Sequence, residues 1–195
     1  MSIQNTHARW GAVAQLLHWS IVILMATQVT LGLTLKTLHP GPTFFAIINT
    51  HKSIGITILA LAVIRLLWRW ANPVPALPGN LKPYERALAR VTHIGLYVII
   101  FAMPLTGWIG SSAHGFTVKW FGLFAVPNLV SKDLPLSGLM GGLHTALAIA
   151  FGCIVTLHIA AAFRHHFVLR DGTLRRMLPG ESIGPVARAG VKSAN

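Results

Sequence analysis

Four long runs of apolar residues, each interrupted by a few polar side chains, account for most of this chain. The runs extend from Ala12 to Leu35, from Phe44 to Trp68, from about Ala87 or Val91 to Gly110, and from Leu139 to Phe163. About 20 apolar residues in a helix cross a bilayer core, so each run is predicted to be a transmembrane helix. The interruptions are mostly His, Thr, Ser and Gln, which are expected where helices face each other or a cofactor. The pattern predicts an all-α, integral membrane four-helix bundle.

The composition agrees with a membrane protein and limits its chemistry. Of the 195 residues, 53% are hydrophobic and only 10% are charged, whereas a soluble domain has about 25% charged residues. Because the chain has only 4 Asp and Glu residues, carboxylate acid–base catalysis is nearly excluded. We attribute the net charge of +12 to the positive-inside rule and to contact with anionic membrane lipid. No soluble basic surface is evident, so no nucleic-acid partner is expected.

Basic residues are distributed unequally among the connections, and this predicts the orientation. The second connection and the C-terminal region are rich in Arg, whereas the first and third connections offer only Lys36, Lys52, Lys119 and Lys132. Both termini and the second connection are therefore predicted to be cytoplasmic. Residues 1–179 are predicted to form the membrane domain, and residues 180–195 a basic, disordered cytoplasmic tail. Residues 115–129 are apolar but too short to cross the membrane, and are predicted to form a periplasmic lid.

The most informative polar residues are two histidines of the fourth run, His144 and His158, which are fourteen residues apart. Fourteen helical residues rise about 21 Å and return to almost the same face of the helix. Polar groups at membrane depth are costly and usually functional, and imidazole is a good axial ligand for haem iron. The spacing predicts two haems, one in each leaflet.

Three further intramembrane histidines lie at matching depths. His51, near the periplasmic start of the second run, matches His144 in depth, and the pair predicts one bis-histidine site. His18 and His93 both match the depth of His158 on the cytoplasmic side, and spacing alone does not decide between them. A single such histidine is more often a packing residue, but five at matched depths favour ligation. Zinc is a weaker alternative, because CxxC and HExxH motifs are absent and the histidines form two layers.

Other polar residues lie where haem and quinone would need partners. Haem propionates require cationic or polar neighbours in a low-dielectric setting. Lys52, beside His51, is a candidate for the periplasmic haem. Candidates for the cytoplasmic haem, for which positive-inside charge is the simpler explanation, are Arg9, Arg90 and Arg164. His165 follows His158 by seven residues on almost the same face, and is a candidate for contact with a quinone headgroup or a propionate. A plain interfacial histidine is the alternative for His165.

A series of motifs, in this order, resembles the bacterial cytochrome b561 family. The motifs are LLHW, NTHKSIGI, RLLWR, NPVPALP, THIGLY, MPLTGW, LHTALA, LHIAAAFRHHF and LRRMLP. The resemblance covers about residues 10 to 179, nearly the whole chain. It implies a four-helix membrane bundle that holds two b haems and exchanges electrons with quinone.

The resemblance also implies roles for individual residues. The axial ligands would be His18 and His158 for the cytoplasmic haem, and His51 and His144 for the periplasmic haem. His93 would then be a non-ligating histidine near the cytoplasmic haem. The resemblance further implies that His165 and a lysine of the second connection surround the quinone. Lys82 is the nearest candidate for that lysine, although its spacing from His93 departs from the family pattern by a couple of residues.

Together these features predict a multi-pass protein of the bacterial inner membrane that transfers electrons. We expect it to oxidise a periplasmic donor, with superoxide favoured, and to reduce ubiquinone. Lys52, Lys119 and Lys132 would steer the superoxide anion. One alternative is the cytochrome b subunit of a hydrogenase- or dehydrogenase-type complex, with a protein donor. The others are a non-enzymatic haem-binding membrane module and, less favoured, a proton or metal transporter.

Overall fold

Four long helices dominate the computed structural model, which describes residues 2–76, 81–178 and 180. They are α1 (Ala12–Leu35), α2 (Pro42–Ala71), α3 (Pro83–His114) and α4 (Leu134–Phe163). All four are long and apolar enough to cross a membrane. The predicted all-α four-helix membrane bundle is therefore confirmed.

Proline and capping groups set the helix starts, and this explains why three helices begin before the predicted positions. Each of α2, α3 and α4 has a proline in its first turn, where the missing N–H costs no hydrogen bond. At the start of α4, the Asp133 carboxylate accepts a hydrogen bond from the Leu136 N–H at 3.0 Å. Gly115 ends α3 in the left-handed region at φ 93°, a conformation that suits a residue without Cβ.

The helices pack in chain order. The most extensive helix pair is α3 with α4, followed by α1 with α2 and then α2 with α3. The buried side chains of α2 are small or branched: Ser53, Ile54, Ile58 and Ala62. Ile54, Ile58 and Ala62 recur every four residues and Ser53 adjoins Ile54, so one face of α2 lies in the bundle interior.

The connection between α3 and α4 contains a small hairpin that the hydropathy pattern did not predict. Strands β1 (Lys119–Trp120) and β2 (Phe124–Ala125) pair antiparallel. The hairpin is fixed to α2, because the Phe121 N–H donates to Ser53 Oγ at 2.9 Å and Trp120 Nε1 donates to Thr57 Oγ1 at 3.0 Å. Strands of two residues are too short to give a periodic signal.

The N-terminal segment, the second connection and the segment after α4 meet at the opposite end of the bundle. The Ala76 N–H donates to the His7 carbonyl at 3.2 Å, and Trp19 Nε1 donates to the Met177 carbonyl at 2.9 Å. These segments therefore lie at the same end of the bundle, which agrees with the prediction that both termini and the second connection are on one side of the membrane. The compartment that this side faces stays a prediction, and the predicted tail lies outside the described residues apart from Gly180.

Candidate functional site

The bundle brings the five intramembrane histidines together in two layers. In the first layer, the rings of His51 on α2 and His144 on α4 are 6.2 Å apart between centroids. In the second layer, the ring of His158 on α4 lies 6.5 Å from that of His18 on α1 and 5.4 Å from that of His93 on α3. Both layers use α4, whose fourteen-residue spacing separates them by about 21 Å along the helix.

The surroundings of His144 fix its proton on one nitrogen. His144 Nδ1 lies 3.0 Å from the Met103 carbonyl oxygen and 3.1 Å from Thr106 Oγ1. A carbonyl oxygen only accepts hydrogen bonds, so Nδ1 carries the hydrogen and donates it. Nε2 then keeps its lone pair, which is the form of histidine that binds a metal.

The first layer also has a histidine nitrogen without a partner and open space beside both rings, as a flat group bound between the two histidines would need. His51 Nδ1 is buried without a hydrogen-bond partner in the described part of the chain. Two glycines border the histidine rings: a Cβ on Gly32 would lie 3.6 Å from His51 Cε1, and one on Gly107 would lie 3.4 Å from His144 Cε1. Larger side chains at these glycines would crowd the rings.

The ring separations test whether these histidines fit haem iron. An imidazole nitrogen binds a metal at about 2.0 Å, and its ring centroid lies about 1.1 Å behind it, so two rings on opposite sides of one metal are about 6 Å apart. The His51–His144 and His18–His158 separations agree with this value. The His93–His158 separation of 5.4 Å is shorter. The donor set therefore fits two haem sites, with His18 favoured over His93.

Arg65 is a candidate that the sequence analysis missed. Its guanidinium lies in the second layer, where Nη1 donates to the Ala14 carbonyl at 2.9 Å and the side chain also bonds to Tyr97. No carboxylate pairs with it among the described residues. The charge distribution groups Arg65 with the basic residues of the second connection, although Arg65 lies inside the predicted run from Phe44 to Trp68 and inside α2. Arg65 follows His51 by fourteen residues, the same spacing that relates the two histidines of α4, and that signal would have identified it.

The other predicted propionate partners have different surroundings. Lys52 Nζ lies 5.3 Å from the centroid of the Phe116 ring, beside the first layer. Arg9 donates to the Leu178 carbonyl at 2.9 Å, and Arg164 pairs with Glu85 at 3.1 Å. Arg90 is exposed on α3. Arg65 is therefore the candidate whose contacts with the second layer leave it without a carboxylate partner among the described residues.

The two predicted quinone residues lie at the end of the bundle where the termini meet. Lys82 precedes the first residue of α3, and its Nζ lies 5.9 Å from the Tyr84 ring centroid. His165 lies just beyond α4 and bonds to Asp171, which the sequence analysis did not single out. No contact joins Lys82 to His165 within the described ranges.

Comparison with known proteins identifies the family. The family model described as prokaryotic cytochrome b561 matches residues 9–180. The chain belongs to the prokaryotic cytochrome b561 family. It is therefore a membrane electron-transfer protein, and the family implies b-type haem.

Curated relatives cover nearly the whole chain. Cytochrome b561 homolog 2 of Escherichia coli (strain K12) is 35% identical over 185 residues, which span 91% of this chain and 95% of that protein. A probable superoxide oxidase, CybB, of Yersinia pestis is 29% identical over 173 residues, which span 89% of this chain and 97% of that protein. Cytochrome b561 homolog 1 of Escherichia coli (strain K12) is 27% identical over 165 residues, 84% of this chain and 93% of that protein.

Proposed function

We propose that this cytochrome b561 protein carries electrons across the bacterial inner membrane, from a periplasmic donor to ubiquinone. One b haem would be held by His51 and His144, and a second by His18 and His158. The observation that carries the proposal is the pair of ring separations, 6.2 Å and 6.5 Å, at two depths of one helix. When bound, the haems would supply reversible one-electron chemistry.

The chain's own residues would hold these groups in defined positions. The Met103 carbonyl and the Thr106 hydroxyl orient His144 and keep its Nε2 available for ligation. Arg65 would pair with a propionate in the second layer, since an unpaired guanidinium inside the membrane is costly. Lys52 would do the same in the first layer. The hairpin fixed to Ser53 restricts access of water to that end of the bundle.

Superoxide is the donor that we favour. Support comes from the Yersinia pestis relative, which is described as a probable superoxide oxidase. Lys52, Lys119 and Lys132 belong to the first-layer end of the bundle, where positive charge attracts an anion. Two superoxide ions would give two electrons to one ubiquinone, which takes up two protons and becomes ubiquinol, while two molecules of O2 are released. His165 and Lys82 are our candidates for contact with the quinone.

The test is a coupled assay on the purified, haem-loaded protein. Superoxide would be generated enzymatically, and ubiquinol formation and O2 release would be measured with ubiquinone-1 as acceptor. We expect one ubiquinol for every two superoxide ions consumed above the uncatalysed rate, and loss of this excess in His144→Gln. A protein that reduces ubiquinone only with a co-purifying redox subunit would favour the complex-subunit alternative. A haem-loaded protein that reduces no quinone with either donor would favour a haem-binding module.

A further inference from the structure

The segment that follows α4 turns back on itself and places an acid against His165. Residues Arg164–Val168 form a π-helical turn, a feature often found at functional sites. Arg170 adopts the left-handed region at φ 51°, so the chain reverses and the Asp171 N–H donates to the His165 carbonyl at 3.1 Å. Asp171 Oδ2 then lies 2.5 Å from His165 Nδ1.

The pair is largely shielded from solvent, and the carboxylate is charged. The side chains of His165 and Asp171 are only 15% and 14% exposed. Burial raises the pKa of Asp171, but the hydrogen bonds from Thr173 and His165 lower it by more than burial raises it. The pKa of Asp171 therefore lies below its ordinary value. A carboxylate has no hydrogen to donate, so His165 Nδ1 donates to it. No hydrogen bond to Nε2 of His165 exists among the described residues.

The pair lies between the second histidine layer and the surface. His165 follows His158 by seven residues, about 10 Å along the helix and nearly on the same face. Asp171 also lines a surface cavity of about 290 Å³. The other charged or titratable groups facing this region are His166, Arg170 and Arg175 in the cavity, and the Arg164–Glu85 ion pair that joins this segment to α3.

We propose that His165 and Asp171 form a dyad that supplies cytoplasmic protons to ubiquinone during its reduction. His165 would donate a proton from Nε2 to a quinone oxygen as the quinone accepts electrons, and would take up a new proton from the cytoplasmic side. Asp171 is a positioning residue: its carboxylate accepts the Nδ1–H, orients the ring and stabilises the imidazolium. Quinone, two electrons and two protons give quinol: the dyad would deliver one proton to the oxygen that His165 contacts, and the oxygen on the opposite side of the ring would take the second proton from water.

This proposal rests on the proposed function, because it requires quinone as the acceptor. It extends that function by assigning the proton donor in a chain with only 4 acidic residues. The neighbouring His166 lines the cavity but has no hydrogen bond to Asp171 among the described residues. His166→Gln is therefore a matched control for His165→Gln.

The experiment separates proton-coupled from simple electron transfer. Haem-loaded protein is reduced in advance and mixed in a stopped-flow instrument with ubiquinone-1, or with ferricyanide, which takes up no proton. The variants are His165→Gln, Asp171→Asn, Asp171→Glu and His166→Gln. Removal of a general acid costs about 100-fold or more. We expect at least that loss for His165→Gln with ubiquinone and about 10-fold or more for Asp171→Asn, with unchanged ferricyanide rates.

The conservative variant distinguishes positioning from structural support, because glutamate keeps a carboxylate that can accept the Nδ1–H of His165. Asp171→Glu should restore part of the rate, and His166→Gln should resemble wild type. If wild type reduces ubiquinone, equal losses with both acceptors, or no recovery in Asp171→Glu, would overturn the dyad. A wild-type protein that reduces ferricyanide but not ubiquinone would overturn the proposed function and this inference together.

Discussion

Ser53→Ala should loosen the hairpin that covers the His51 end of the bundle. Ser53 is only 1% exposed. Its hydroxyl oxygen accepts from the Phe121 N–H at 2.9 Å, and its hydrogen is directed to the carbonyls of Asn49 at 2.8 Å and Lys119 at 3.2 Å. The substitution removes the acceptor for a backbone N–H at a turn residue already in the left-handed region, at φ 46°.

The magnitude follows from how well that N–H is shielded. Leaving a buried donor without an acceptor costs about 1–3 kcal/mol. Since Phe121 itself is 50% exposed, water reaches part of the turn and the lower half of this range applies. A cost of about 1–2 kcal/mol raises the population of the detached hairpin about 5- to 30-fold.

Hydrogen–deuterium exchange of the purified protein, read on peptides covering residues 116–126, measures this population. We expect exchange of these amides to accelerate by that factor in Ser53→Ala, with unchanged exchange in α4. The matched control is Thr50→Ala, one turn earlier on α2; among the described residues, the Thr50 hydroxyl bonds only to the Ala46 carbonyl of its own helix. Unchanged hairpin exchange in Ser53→Ala, or equal acceleration in the control, would refute the role assigned to Ser53.

Three further predictions test the two histidine layers. In a redox titration, Arg65→Gln should lower the midpoint potential of one haem, because the positive charge that favours the reduced form is lost. Arg65→Lys keeps the charge and should preserve the potential. Equal potentials in both variants would contradict the anion-pairing role. His93→Gln should keep two haems per chain and His18→Gln only one, by pyridine haemochrome assay, and the reverse result would make His93 the ligand. Gly107→Leu should displace the His144 ring and reduce the haem count to one, whereas a full count would show that the space beside this glycine is not needed.

The sequence predicted the helices well because their signal is local. Apolar runs of membrane length leave little alternative to a helix, and the α1 bounds agree with the predicted run from Ala12 to Leu35. The starts of α2, α3 and α4 were placed too late, because first turns contain polar residues that resemble loops. The depth of each histidine followed from position along a helix, so both layers could be predicted before any contact was known.

What the sequence could not provide depends on contacts between distant segments. The ring separations that favour His18 over His93 arise from the arrangement of α1, α3 and α4 in the bundle. Arg65 was missed because it was grouped with the basic residues that set the orientation, and its contacts with Ala14 of α1 and Tyr97 of α3 depend on packing. Asp171 was missed because its contact with His165 requires a chain reversal at Arg170, a residue type with no special preference for the left-handed region.

The most direct test of the central claim is the haem content of the purified wild-type chain. A dithionite-reduced minus oxidised spectrum, combined with a pyridine haemochrome count, gives both haem type and stoichiometry. Our account predicts b-type haem at two per chain, one for the His51–His144 pair and one for the His18–His158 pair. A count of one, or a colourless protein that does not bind added haem, would contradict it.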